Sequence, residues 1–194
     1  MTAAAGGTLA VAGLLAPAWI QTVDTTRSDE ALVALRHTGW QTMWLALYVL
    51  LIIVAPVQHG LAVIAAESDP ARVRSRSHAL LNVVCMLGSV ALLSATVIWQ
   101  RWPFLIVMPI GFIVGLRNIS YAAKSRSTWM EWQREHLTSM LTAGIVLHAA
   151  LFVFGTSRFL GWQIAGAFQL VPLMVPAVIG LPAMAWLRGR VRAD

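Results

Sequence analysis

Charge is scarce in this sequence: 14 Lys and Arg with 8 Asp and Glu make up 11% of 194 residues, against roughly 25% in an ordinary soluble domain. Too few charged side chains are present to clothe a water-facing surface, so the composition predicts an integral membrane protein. Cysteine is nearly absent as well. The single Cys85 excludes an intrachain disulfide, and its place within an apolar run makes it a small core hydrophobe. Also missing are H-E-x-x-H, C-x-x-C-H, a Walker A loop and G-x-S-x-G. The closely spaced histidine boxes of membrane desaturases are absent too, as are two halves of similar pattern such as many transporters show. Motif therefore names no reaction, and whether the chain is an enzyme stays open.

What the sequence has in quantity is apolar surface. Hydrophobic residues make up 58% and the mean hydropathy is +0.72. Roughly 20 apolar residues cross the hydrocarbon core. Intervals between charges place spans at about 40–66, 78–99, 103–122, 136–157 and 162–187. A weaker, Ala/Gly-rich run at about 3–20 is a sixth. It contains Ala16-Pro-Ala18, which resembles a signal-peptide end, but no Lys or Arg precedes it as a signal would require. An uncleaved span is expected there, with an interfacial helix as the alternative. The fold class expected is all-α, a polytopic transmembrane bundle of five to six spans forming one membrane domain over 1–194.

The net charge of +6 does not point to nucleic acid, because the basic residues fall in short loops between apolar runs. There they set topology. Arg72, Arg74, Arg76, Arg117, Lys124, Arg126, Arg134, Arg188, Arg190 and Arg192 share one side, against Arg27, Arg36, Arg101 and Arg158 on the other. The richer side is cytoplasmic by the positive-inside rule, which puts the C-terminus in the cytoplasm of a multi-pass protein in a bacterial inner membrane. The lipid bilayer is the first partner expected. The nine tryptophans suit lipid and subunit contacts, with other membrane proteins or a second copy as further partners.

Gly111-Phe-Ile-Val-Gly115 is a GxxxG pattern that suits close helix approach within the chain. Pro172, Pro176 and Pro182 predict a kinked or broken last helix. Asn118-Ile-Ser120 matches a glycosylation pattern but lies toward the cytoplasmic end, which sets it aside.

The histidines carry the functional signal. His59 lies near the cytoplasmic end of one span, while His78 and His136 open two others, so three helices bring imidazoles to one leaflet. Ionisable groups inside a span are costly and tend to face a bundle interior or a ligand. Arg117, Asn118 and Tyr121 approach the same level, and Asn82 lies one turn from His78. The leading expectation is a site binding haem b or a transition-metal ion through His59, His78 and His136. Met140 would then be a soft ligand, and Arg117 and Tyr121 would pair with propionates or an outer-shell group. The alternatives are a non-catalytic accessory subunit of a larger membrane complex, or a small carrier or proton-coupled channel. His148, about 18 Å along the helix from His136, cannot share their site. A second site pairing it with His37 is the remote option.

Four stretches carry a resemblance: Gln58-His59-Gly60, Arg74-Ser-Arg-Ser-His78, Trp132-x-x-Glu135-His136-Leu-x-x-Met140 and Val175-Pro-Ala-Val-Ile-Gly-Leu-Pro182. Their order resembles a group of uncharacterised bacterial membrane proteins over about residues 55–185. The chain departs from that pattern at Ala79, where the group tends to have Arg. The resemblance supports the importance of His59, His78 and His136 and implies no reaction.

Overall fold

The computed structural model describes residues 29–100, 105, 107–159 and 170–190. Among these the chain is helical, with no strand: α1 (Asp29–Ala66), a 3-10 turn (Pro70–Val73), α2 (Arg76–Trp99), α3 (Met108–Ala122), α4 (Trp129–Phe159) and α5 (Leu170–Arg190). The all-α expectation is met. The expected first span at 3–20 lies outside the described residues.

Two of the described stretches, Met43–Ala66 and Arg76–Trp99, are long and apolar enough to cross a membrane. Only 28% of the apolar window of α2 is buried, whereas the core helix of a soluble protein would be mostly covered. Its Leu80, Leu87 and Ile98 are 65%, 62% and 76% exposed. Such a row of bare aliphatic side chains is what lipid, rather than water, accommodates. The span expected over 103–122 is a shorter helix in the described residues: 15 residues in α3 reach about 22 Å, less than the roughly 30 Å core.

Packing divides the chain into Met1–Leu50 and Leu51–Asp194. In the first unit, Trp40 and Trp44 stand edge to face with centroids 5.7 Å apart. The rest of this description concerns the second.

Capping chemistry decides where its helices begin and end. α1 continues unbroken through Pro56 and stops at Glu67, whose left-handed backbone (φ 52°) turns the chain while its N–H donates to the Val63 carbonyl at 2.9 Å. Asp69 Oδ1 then accepts from the Ala71 N–H at 3.1 Å, with Pro70 at the first position of the 3-10 turn. Ser75 Oγ accepts from the His78 N–H at 3.1 Å, satisfying one of the orphan donors that open α2. That cap makes His78 the third residue of α2. Arg74 turns its guanidinium onto the carbonyls of Ala122, Ala123 and Lys124. It thereby neutralises the acceptor end of α3 and ties it to the entrance of α2.

The two glycines of the GxxxG pattern are buried. A Cβ at Gly115 would meet the Asn82 carbonyl at 2.7 Å and Met86 Cγ at 2.6 Å, so at Gly115 the missing side chain serves the approach of α2 to α3 within the chain. Gly60 lets α1 approach Ser139 and Met140 of α4.

α4 starts seven residues before the expected span. The reason is a reciprocal cap: Thr128 Oγ1 accepts from the Glu131 N–H at 3.3 Å, and Glu131 Oε2 accepts from the Thr128 N–H at 3.1 Å. α5 contains Pro176 and Pro182 and remains one helix through both; the expected break does not occur in the described residues. Val63, Ala66, Val73, Tyr121 and Ala122, flanked by Ala62 and Trp132, form a small buried cluster that joins the ends of α1 and α3 through the 3-10 turn.

Candidate functional site

Beside this cluster lies a polar centre shared by four helices. His59 of α1 and His78 of α2 are 0% and 3% exposed. Their rings lie 5.2 Å apart, tilted by 36°, with His59 Nδ1 and His78 Nε2 at 3.0 Å. The other nitrogen of His59, Nε2, meets Glu135 Oε1 of α4 at 3.2 Å. The same carboxylate oxygen lies 3.1 Å from Arg117 Nε of α3, and Arg117 Nη2 donates to Ser139 Oγ at 2.9 Å. Arg188 of α5 acts electrostatically on both Arg117 and Glu135.

Burial makes these contacts matter. An uncompensated charge held away from water costs several kcal/mol, so a half-buried arginine and a carboxylate persist here only by facing each other. Side-chain exposures of 26% for Arg117 and 13% for Glu135 mark the pair as mostly desolvated. A second chain runs from His78 into α3. Asn82 Nδ2 donates to the His78 carbonyl at 2.8 Å and lies 3.3 Å from His78 Nε2. Asn82 Oδ1 accepts from Asn118 Nδ2 at 2.8 Å. Both amides are fully buried.

The residues expected from sequence thus fall into two sets. His59 and His78 meet, and Arg117 reaches them through Glu135. Tyr121 presents its ring edge-on to His59 at 5.5 Å while its hydroxyl donates to Ser127 at 3.3 Å. His136 takes another partner: its Nδ1 contacts the Gly60 carbonyl at 2.9 Å. The tip of Met140 faces Gly60, where an added Cβ would stand 3.0 Å from it. Among the described residues, no three His, Cys, Asp or Glu side chains converge as ligands of one metal ion do. Two imidazole nitrogens 3.0 Å apart also leave no room for a porphyrin plane between them.

His148 Nδ1 bonds the Gly144 carbonyl of its own helix at 2.7 Å, matching the reading of a histidine outside the cluster. The His37 side chain lies outside the described residues.

No family model, no curated protein and no solved structure matches the chain. Function therefore has to be read from the geometry. The residue that sequence reasoning passed over is Glu135, quoted only as part of a motif. Its signal was available: it is a carboxylate at the depth of three histidines, with Ser139 on the same helical face.

Proposed function

We propose that the chain is a polytopic inner-membrane protein of five or six spans, with a cytoplasmic C-terminus, that moves protons through a relay built of Glu135, His59 and His78. The observation carrying this reading is that one fully buried imidazole touches a second imidazole with one nitrogen and a carboxylate with the other. A carboxylate–imidazole–imidazole chain lets a proton enter at one atom and leave from another, and histidine exchanges it within the physiological range. Chains of acidic and histidine side chains inside membrane bundles commonly serve proton relays. Arg117 holds the carboxylate in register, so the relay stays aligned while its proton moves. In this reading the protein is a small proton-coupled carrier or channel.

The test is reconstitution into liposomes loaded with a pH dye, with proton flux driven by an imposed potential. Flux that disappears in His59→Ala supports the relay. Spectroscopy and metal analysis of the same preparation address the competing expectation. A Soret band or a stoichiometric metal lost on His59→Ala replaces the relay with a cofactor site, and purification in a fixed ratio with other membrane proteins favours an accessory subunit.

A further inference from the structure

A cavity of about 540 Å³ lies where the start of α2 meets the end of α3, sharing His78 with the relay. Its size falls within the roughly 300–1,000 Å³ of small-molecule sites. Two chemistries meet in its wall: Arg74 and Arg76 from the α2 side, and apolar surface from Ala79, Ile119 and Ala122. The arginines are exposed while Ala122 is buried and Ile119 half-buried, so charge lies toward water and apolar surface away from it.

Arg74 is held ready for an anion. Its Nε and Nη2 donate to the three carbonyls that close α3, which fixes the guanidinium and leaves Nη1 without a protein partner among the described residues. A guanidinium is a rigid fork of five donors, so holding one edge presents the other at little further entropic cost. Among the described residues neither Arg74 nor Arg76 pairs with a carboxylate, whereas Arg72 faces Asp69 at 3.4 Å and Lys124 faces Glu131 at 3.6 Å. The cavity therefore carries two uncompensated positive charges.

Its depth narrows the choice of anion. Arg76 opens the apolar stretch Arg76–Trp99, which sets the cavity where hydrocarbon gives way to headgroups. Ala79, Val83 and Leu87 follow at four-residue steps on one face of α2. Val83 and Leu87 are 43% and 62% exposed, so a bare apolar track leads away from the cavity. An acyl chain covers that track; a free anion does not.

We propose that this cavity binds the phosphate of an anionic phospholipid, with Arg74 and Arg76 on the headgroup and an acyl chain along Ala79, Val83 and Leu87. Basic pockets between transmembrane helices on the cytoplasmic side take anionic headgroups in this way. A zwitterionic lipid brings a quaternary ammonium to the same two arginines, which repel it. The site rests on the membrane reading above and is independent of proton movement.

The full chain, purified in detergent and stripped of lipid, is titrated with phosphatidylglycerol or phosphatidylcholine, and bound lipid is counted by native mass spectrometry. One phosphatidylglycerol per chain is expected, bound about tenfold tighter than phosphatidylcholine, as two nearby arginines imply. Arg76→Gln should weaken it roughly fivefold, while Arg126→Gln, in the loop after α3, changes it less than about twofold. Ala79→Trp keeps both arginines, fills the cavity and should abolish the bound lipid. Equal binding of the two lipids overturns the proposal whether or not the variants fold. Equal losses in Arg76→Gln and Arg126→Gln also overturn it, assigning the preference to the general field of the basic loops. Undiminished lipid in a folded Ala79→Trp protein excludes the cavity, and inorganic phosphate that displaces the lipid at equal concentration identifies a free-anion site instead. A chain that stays soluble without detergent and binds neither lipid sinks the membrane reading as well, whereas a detergent-dependent chain with no preference sinks the lipid site alone.

Discussion

Two histidines in apolar helices of this chain meet opposite fates. His59 is fully buried and touches residues of α2, α3 and α4. His148 is exposed and, among the described residues, bonds its own helix at Gly144. Both are imidazoles in long apolar runs, so residue type and hydropathy do not separate them. The separation comes from the neighbours: the His59 end has a carboxylate, an arginine and two amides on facing helices. An isolated histidine in a span can satisfy itself on an i−4 carbonyl. A histidine becomes part of a site when the surrounding helices supply groups that its own backbone cannot.

Breaking the polar end should have the largest effect. Glu135→Gln leaves Arg117 and His59 without their shared anion. Losing one partner of a buried pair costs about 3–5 kcal/mol, and the partial exposure of this pair places the loss near about 3 kcal/mol, measurable as unfolding free energy in mixed micelles. A loss below about 1 kcal/mol would mean that the pair is solvated and the two ends of α4 differ less than their geometry implies.

Gly115→Ala comes next. Its Cβ would press on the Asn82 carbonyl, a backbone atom that cannot swing aside, and overpacking of this kind costs about 1–3 kcal/mol. The strain should also weaken the Asn82–Asn118 bond beside it. Full stability and unchanged cross-linking between α2 and α3 would show that the helices are less closely apposed than Gly115 requires.

Thr128→Ala removes the cap that starts α4 ahead of its apolar part, at about 1 kcal/mol. The Glu131 carboxyl is held below its ordinary range, first by the Thr128 N–H and then by Lys124. A depressed carboxyl stabilises the fold above its unfolded value and loses that contribution as pH falls through the folded one. The penalty of Glu131→Gln should therefore be largest near neutral pH and shrink in acid, whereas Thr128→Ala keeps the backbone N–H and its penalty should change little; a Glu131→Gln penalty constant down to about pH 3 would assign the cap to the threonine alone. His148→Ala is the control and should stay within about 0.5 kcal/mol.

The helical class and two apolar helices were legible beforehand because apolar runs are local. The stretches over Met43–Ala66 and Arg76–Trp99 follow from hydropathy alone. The early start of α4 was missed because charges mark the edge of a membrane span, whereas Thr128 and Glu131 mark the start of a helix, and the two need not coincide. For the site, depth along the helices was readable and angle was not. His59, His78 and His136 share a level, but rotation about α4 gives Glu135 to His59 and turns His136 to the Gly60 carbonyl. Neighbouring residues about 100° apart on a helix are decided by packing, which a single sequence does not state.

The most direct measurement is a double-substitution cycle on proton flux in liposomes, using His59→Ala, His78→Ala and the pair together. Members of one relay are lost as a unit, so each single substitution should cut flux by roughly tenfold or more and the double should fall little further, while His148→Ala keeps wild-type flux. Wild-type liposomes that pass no protons, single variants that keep their flux, or losses that multiply in the double variant would contradict a relay through His59 and His78.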